Sequence, residues 1–272
     1  ALALLWNIKH SVFHDRLSIA PSKSKLDTLE TYQNLFDSDW GELVKRKGLG
    51  DILMINTPGA EGGNTLEKAK QEIEEIKDEV RKRYRIVSDL YLYYGAMDGN
   101  RSGERFTIDE NGWETFAANC GIIRGGKNYQ KVREKILGLF ALANEEYGNE
   151  DESSEENNLN PDGSLLRFEF LEALLRTALL KFVVLEKKTK DLSDSVDMLF
   201  DVHILPNLPK ECQVDANTFR SDLIYSASVD ALLTSWKAVL QQYFDRHKKV
   251  GGSKQKNCNA QPTGMSLNQW IR

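Results

Sequence analysis

Residues 158–169, NLNPDGSLLRFE, carry side-chain oxygen at alternate positions: Asn158 stands first, Asn160 third, Asp162 fifth, and Glu169 closes the run at the twelfth. Gly163 at the sixth position permits a sharp turn, Ser164 offers a backbone carbonyl at the seventh, and Leu165 supplies an aliphatic side chain at the eighth. Oxygen ligands spaced around a turn, with a carboxylate that can bind through both atoms, are the chemistry of a hard divalent cation such as Ca²⁺. The candidate metal ligands are therefore Asn158, Asn160, Asp162, Ser164 and Glu169. Only Asp162 and Glu169 bring formal charge, Pro161 interrupts the run at the fourth position, and Leu166 offers no oxygen at the ninth. Charge count tunes affinity in such loops, so the expectation is Ca²⁺ binding at or beyond roughly 10⁻⁴ to 10⁻³ M, or none. A metal-free structural turn is favoured over a filled site, and no other cofactor is expected.

Other chemistries are poorly served. Residues 121–127, GIIRGGK, satisfy the spacing of a phosphate loop, but Asn128 replaces the Mg²⁺-holding hydroxyl and no strand pattern precedes it, so a helix C-cap and linker is the better reading. His10 and His14 are the one histidine pair at helical spacing, and no acid lies between them as a zinc protease motif requires. No nucleophile elbow and no Cys/His signature occurs, so no catalytic residue is assigned. The three cysteines, Cys120, Cys212 and Cys258, are far apart and without a CxxC spacing, which points to reduced packing or surface thiols.

The elements that must position the loop are helices. Residues 66–94 repeat apolar side chains at spacings of three and four, from Leu66 and Ala69 to Tyr91 and Tyr94, and the pattern predicts a helix stopping at Gly95. Residues 110–120 turn Trp113, Phe116, Ala117 and Cys120 to one face, and residues 129–147 do the same with Val132, Ile136, Leu139, Phe140 and Ala143. Residues 168–186 are apolar nearly all round, which predicts a central helix. A helix over 193–204, ended by Pro206 and Pro209, and one long helix over 228–247 follow; the latter is expected to bury Val229, Leu232, Leu233, Trp236, Leu240, Tyr243 and Phe244. Of the first 57 residues, 26–44 reads best as helix but is given no role. Trp113, Trp236 and Trp270 are expected in apolar cores, whereas Trp6 and Trp40 are the interface candidates.

The loop at 158–169, with RFEFLEALLR as its exiting helix, resembles the EF-hand, calmodulin-like superfamily. The resemblance implies an all-α fold of paired helix-loop-helix units joined by very short loop strands, and hence a second hand. Residues 98–113, DGNRSGERFTIDENGW, supply it: Asp98, Asn100, Ser102 and Gly103 imitate the first part of a loop, and Trp113 the residue after its end. Counted back from Trp113, Ile108 takes the eighth position and Gly112 the twelfth, so this hand lacks the closing carboxylate. Phe106, Thr107 and Ile108 are expected to pair with Leu165, Leu166 and Arg167. A vaguer third unit ends in Trp270. These Trp-closed units are similar to large EF-hand-like proteins of cilia and flagella, which implies a cytoplasmic, cytoskeletal or axonemal setting.

The expected organisation is an N-terminal segment over 1–57, paired hands over 66–186, and a C-terminal helical region over 192–272 with a further hand-like unit. The net charge of −5 removes the broad basic field that phosphates need, so nucleic acid is excluded as a default partner. The longest apolar stretch, 174–185, contains Arg176 and Lys181 and falls short of the roughly 20 residues that span a bilayer, so no membrane insertion is expected. The acidic run at 145–156 and the lysine-rich run at 248–256 read as solvated loops. Both chain ends suggest a piece of a longer polypeptide. The functional expectation is a non-enzymatic scaffold that docks other proteins, by helix-in-groove binding or within an assembly; the alternative is a Ca²⁺-sensing regulatory domain. Glu169→Gln is expected to abolish any calcium response with the fold intact, since it removes a ligand and no apolar face.

Overall fold

A computed structural model describes residues 25–46, 65–97, 107–123, 129–144 and 163–250. They are mostly helical, with one two-stranded sheet among them. The described residues fall into two compact units, one within 29–212 and one that joins residues 25–28 to those from 213 onward. Residues 29–46, expected to lie in a separate N-terminal segment, thus share a unit with the helices of the expected hands.

In the larger unit, α1 (Leu29–Lys45) buries Phe36, Trp40 and Leu43. The 33-residue α2 (Thr65–Met97) buries Ile76, Val80, Tyr84, Val87, Leu90, Tyr91 and Tyr94, the stripe its three-four spacing requires. It runs two residues past Gly95, where a Cβ would sit 3.3 Å from the Thr107 carbonyl oxygen. That glycine answers to a close backbone approach rather than to helix termination.

The chain then enters β1 (Ile108–Asp109) and α3 (Glu110–Asn119), and after α4 (Tyr129–Asn144) the same sequence of events repeats in β2 (Ser164–Leu165) and α5 (Arg167–Ala178). Antiparallel pairing sets Ile108 opposite Leu165 and Asp109 opposite Ser164. Of the segments expected to pair, 106–108 and 165–167, the ladder joins Ile108 and Leu165, whereas its second pair lies outside them. The expected helix over 168–186 is regular only to Ala178; Leu179–Leu185 widens into π-type turns. Next, α6 (Leu192–Leu199) continues through wider turns over Phe200–Ile204 and a tight turn at Leu205–Asn207. The wider turns end at Ile204, the expected bound, and Pro206 lies in the tight turn that follows. The short α7 (Lys210–Gln213) follows.

An aromatic cluster fills the middle of this unit. Phe116 lies 5.4 Å from Tyr94, 5.4 Å from Trp113 and 5.3 Å from Phe170, edge to face in the first and last case. Trp113 is fully buried, as expected, and its indole N–H donates to the Ile136 carbonyl at 2.9 Å. Trp40 is 6% exposed and belongs to the core, not to an interface; it faces inward with Phe36, whose ring is 5.8 Å away.

The smaller unit contains α8 (Ala216–Phe219), turns over Arg220–Ile224, α9 (Ala227–Ser235) and α10 (Lys237–Val250). The single helix expected over 228–247 is interrupted at Trp236, whose ψ of 0° leaves the helical range. Its expected buried side is not buried: Leu232, Leu233, Trp236, Leu240 and Tyr243 are exposed, and Val229 and Phe244 are half-buried. Periodicity identifies a side that could be covered; it does not supply the cover. Residues 25–28 are fixed to this unit by reciprocal bonds between Asp27 and Asn217 (2.8 and 2.6 Å) and by a bond from the Tyr225 hydroxyl to the Lys25 carbonyl (2.7 Å).

Candidate functional site: the paired loop ends and their charged clamp

The two helix starts that follow the strands are built alike. Asp109 is the N-cap of α3 and Leu166 the N-cap of α5. Ile108 and Leu165 thus stand one residue before a cap, and Trp113 and Phe170 four residues after it, the positions of a hydrophobic staple. All four are fully buried, and the Trp113 and Phe170 rings meet edge to face at 6.0 Å.

Each cap supplies one half of a capping box. At α3, the Asp109 carboxylate accepts from the N–H of Gly112 at 2.8 Å. At α5, where the cap residue is a leucine with no acceptor, the Glu169 carboxylate reaches back to the Leu166 N–H at 2.8 Å. Each pairing satisfies one of the N–H groups that a helix start leaves open. Gly112, counted as the twelfth position of the first hand, brings no ligand oxygen, as its sequence requires.

Of the five candidate metal ligands, Ser164 and Glu169 are described, while Asn158, Asn160 and Asp162 lie outside the described residues. Gly163 has φ of +88°, so the turn expected of the sixth position is present and requires glycine. Asn144, at the end of α4, lies with its amide against Gly163 and Ser164; assigned by its hydrogen-bond partners, the amide donates to the Ser164 carbonyl at 2.9 Å and accepts from the Gly163 N–H at 3.1 Å. The carbonyl assigned to the seventh position therefore already accepts a hydrogen bond.

Glu169 is fully buried, and its second oxygen accepts from Arg46 Nη1 at 2.8 Å. The same guanidinium donates through Nη2 to the Ala143 carbonyl at 2.8 Å, near the C-terminus of α4 where a cation is favoured, and lies 5.4 Å from the centre of the Phe168 ring. Its Nε is 3.3 Å from Oε2 of Glu172, one turn further along α5. Oε1 of Glu172 accepts from Arg176 at 3.0 and 2.7 Å. Burial pushes Glu172 above the usual carboxylate range against the pull of Arg176 and Arg46.

A second clamp joins the same two helices with the charges reversed. Asp39 on α1 is buried and receives Arg167 of α5, with Nη2 to Oδ1 at 2.9 Å, together with the hydroxyl of Tyr84 from α2. That hydroxyl is pushed well above the ordinary phenol range by burial and by the facing Asp39 carboxylate. Asp39 lies on α1 and Arg46 directly after its last residue, so this stretch offers acid then base while α5 offers base at 167 then acid at 169 and 172. The sequence reading expected a helix over 26–44 but gave it no role, because that role lies in this charge spacing, which has meaning only once the partner helix is known.

Elsewhere, residues 119–122 close α3 as a Schellman cap: Gly121 has φ of +63°, its N–H bonds Ala118 O at 2.9 Å, and Ile122 N–H bonds Ala117 O at 2.9 Å. That accounts for the start of GIIRGGK; residues 124–128 lie outside the described residues. Cys120 is buried, Cys212 is half-buried, and both are free thiols. Among the described residues, no group of three His, Cys, Asp or Glu side chains gathers as a metal site, and no helix is long and apolar enough to cross a membrane. Trp6 and the expected third hand beyond residue 250 lie outside the described residues. No family model, curated protein or solved structure matches the chain.

Proposed function

We propose that this chain is a non-enzymatic interaction module in which two EF-hand-like units form a fixed, metal-independent helical platform. The observation that carries the reading is the state of Glu169: its two oxygens are engaged by Arg46 and by the N-cap of its own helix. A carboxylate so held does not fit the role of bidentate calcium ligand. The pairing of Ile108 with Leu165 supports the EF-hand-like reading, because the two residues occupy the eighth position of their respective loops. A role in docking partners is supported by the large apolar side chains left exposed on α9 and α10, Leu232, Leu233, Trp236 and Tyr243 among them. A place in a cytoskeletal or axonemal assembly rests on the sequence resemblance alone.

The deciding experiment is a calorimetric Ca²⁺ titration in metal-free buffer with Mg²⁺ present. Silence to about millimolar Ca²⁺ is the expected result, at the weak end of the range for such loops. Saturable binding at micromolar Ca²⁺, lost in Glu169→Gln, would replace this reading with that of a calcium sensor using Asn158, Asn160, Asp162, Ser164 and Glu169.

A further inference from the structure

Glu169 and Glu172 are both fully buried, one helical turn apart on α5. Two buried carboxylates on adjacent turns repel each other and lose their hydration, so they require cations at close range. Arg176 serves one oxygen of Glu172. Oε2 of Glu172 has no hydrogen bond and lies 3.3 Å from Arg46 Nε, while Arg46 Nη1 serves Glu169. Arg46 is thus the group that faces both acids, and it is itself nearly buried, with 11% of its side chain exposed.

We propose that Arg46 is the resident cation of the second loop: a tethered guanidinium that neutralises Glu169 and Glu172 in place of a divalent metal and so joins α1 to the loop's closing helix. The proposal rests on the metal-independent reading above and adds the residue that enforces it. A guanidinium carries its charge at every working pH and presents several donors in a fixed plane, which suits it to two carboxylates and a carbonyl at once. Being part of the chain, it also acts at a local concentration that free Ca²⁺ does not reach. Remove its charge, and Glu172 loses the cation beside its Oε2 while Glu169 loses its ion pair with Nη1. The excess buried negative charge then takes up a cation.

The test is Ca²⁺ calorimetry on the full chain for the wild type, Arg46→Lys, Arg46→Gln, and Arg46→Gln combined with Glu169→Gln. The wild type and Arg46→Lys stay silent to about millimolar Ca²⁺, Arg46→Gln binds one equivalent at least about tenfold more tightly, and adding Glu169→Gln removes that binding. If Arg46→Gln does not fold, Arg46→Gln with Glu172→Gln, which lowers the buried negative charge, is titrated instead. Folding of either variant on addition of Ca²⁺ counts as the expected gain, and failure to fold with Ca²⁺ present counts against it. A folded Arg46→Gln as silent as the wild type overturns the role of Arg46 and leaves the metal-independent reading standing. A wild type that binds as tightly as Arg46→Gln overturns both.

Discussion

Ile108 and Leu165 face one another across the two-residue ladder, both without exposed surface, and each immediately precedes the N-cap of the helix that follows. The contact fixes the relative position of α3 and α5, because each residue is followed, five positions on, by an aromatic ring of the shared core. Truncating either side chain therefore opens a cavity at a joint rather than at a periphery. Ile108→Ala and Leu165→Ala are each expected to cost about 2–4 kcal/mol in urea unfolding. The double variant should cost less than the sum, by at least about 0.5 kcal/mol. Strict additivity would show that the two residues do not share a contact.

Glu169→Gln has a consequence that its sequence position alone did not suggest. A ligand in a solvated loop could be neutralised with the fold intact, but Glu169 is buried against Arg46. The amide keeps the shape and loses the charge, so a loss of about 2–4 kcal/mol is expected without any metal present. Equal denaturation midpoints for the wild type and Glu169→Gln in chelator would contradict the buried pair.

Glu72 on α2 accepts from the N–H groups of Leu192 and Ser193, both at 2.9 Å, and so caps α6 from outside it. Burial nevertheless holds its carboxyl above the usual range, with the two N–H bonds pulling the other way. Glu72→Ala leaves both donors open and is expected to lower stability by about 1–2 kcal/mol. Hydrogen exchange should show the first turn of α6 opening faster, whereas unchanged exchange there would deny the capping role.

Alkaline pH should destabilise the larger unit. Burial, with a smaller contribution from Cys212, pushes the Cys120 thiol from 9.0 up to about 12, and burial pushes the Tyr94 hydroxyl from 10.0 up to about 12. Both groups are raised in the fold, so the stability they contribute is fully present below about pH 9 and is lost as pH rises towards about 12. Melting temperature is expected to fall across that window, and to fall less in Cys120→Ala than in the wild type. A flat profile in the wild type would show that neither group stays protonated in the fold.

A disruption of the second clamp should be as costly as that of the first. Asp39→Ala leaves Arg167 and the Tyr84 hydroxyl without their shared acceptor, and a loss of about 2–4 kcal/mol is expected. The paired change Asp39→Asn with Arg167→Gln removes both charges and should be milder than Asp39→Ala, as read from denaturation midpoints. Equal losses would mean that charge pairing between α1 and α5 is not what the site depends on.

By itself the sequence determined the helices that carry their own periodic stripe, including the core faces of α2 and α3 and the positions of Trp113 and Phe170. It also determined the turn at Gly163 and brought Ile108 and Leu165 into the segments expected to pair, because a twelve-residue loop pattern counts positions without reference to the rest of the chain. The tertiary structure decided what those positions meet. That Trp40 packs inward, that Leu232 and Trp236 stay exposed, and that Arg46 reaches Glu169 across 123 residues all depend on which elements become neighbours. Apolar spacing and ligand spacing are local properties of one helix or loop. The counter-ion of a buried carboxylate is a property of the assembled core, and a one-dimensional pattern carries no signal for a partner so far along the chain.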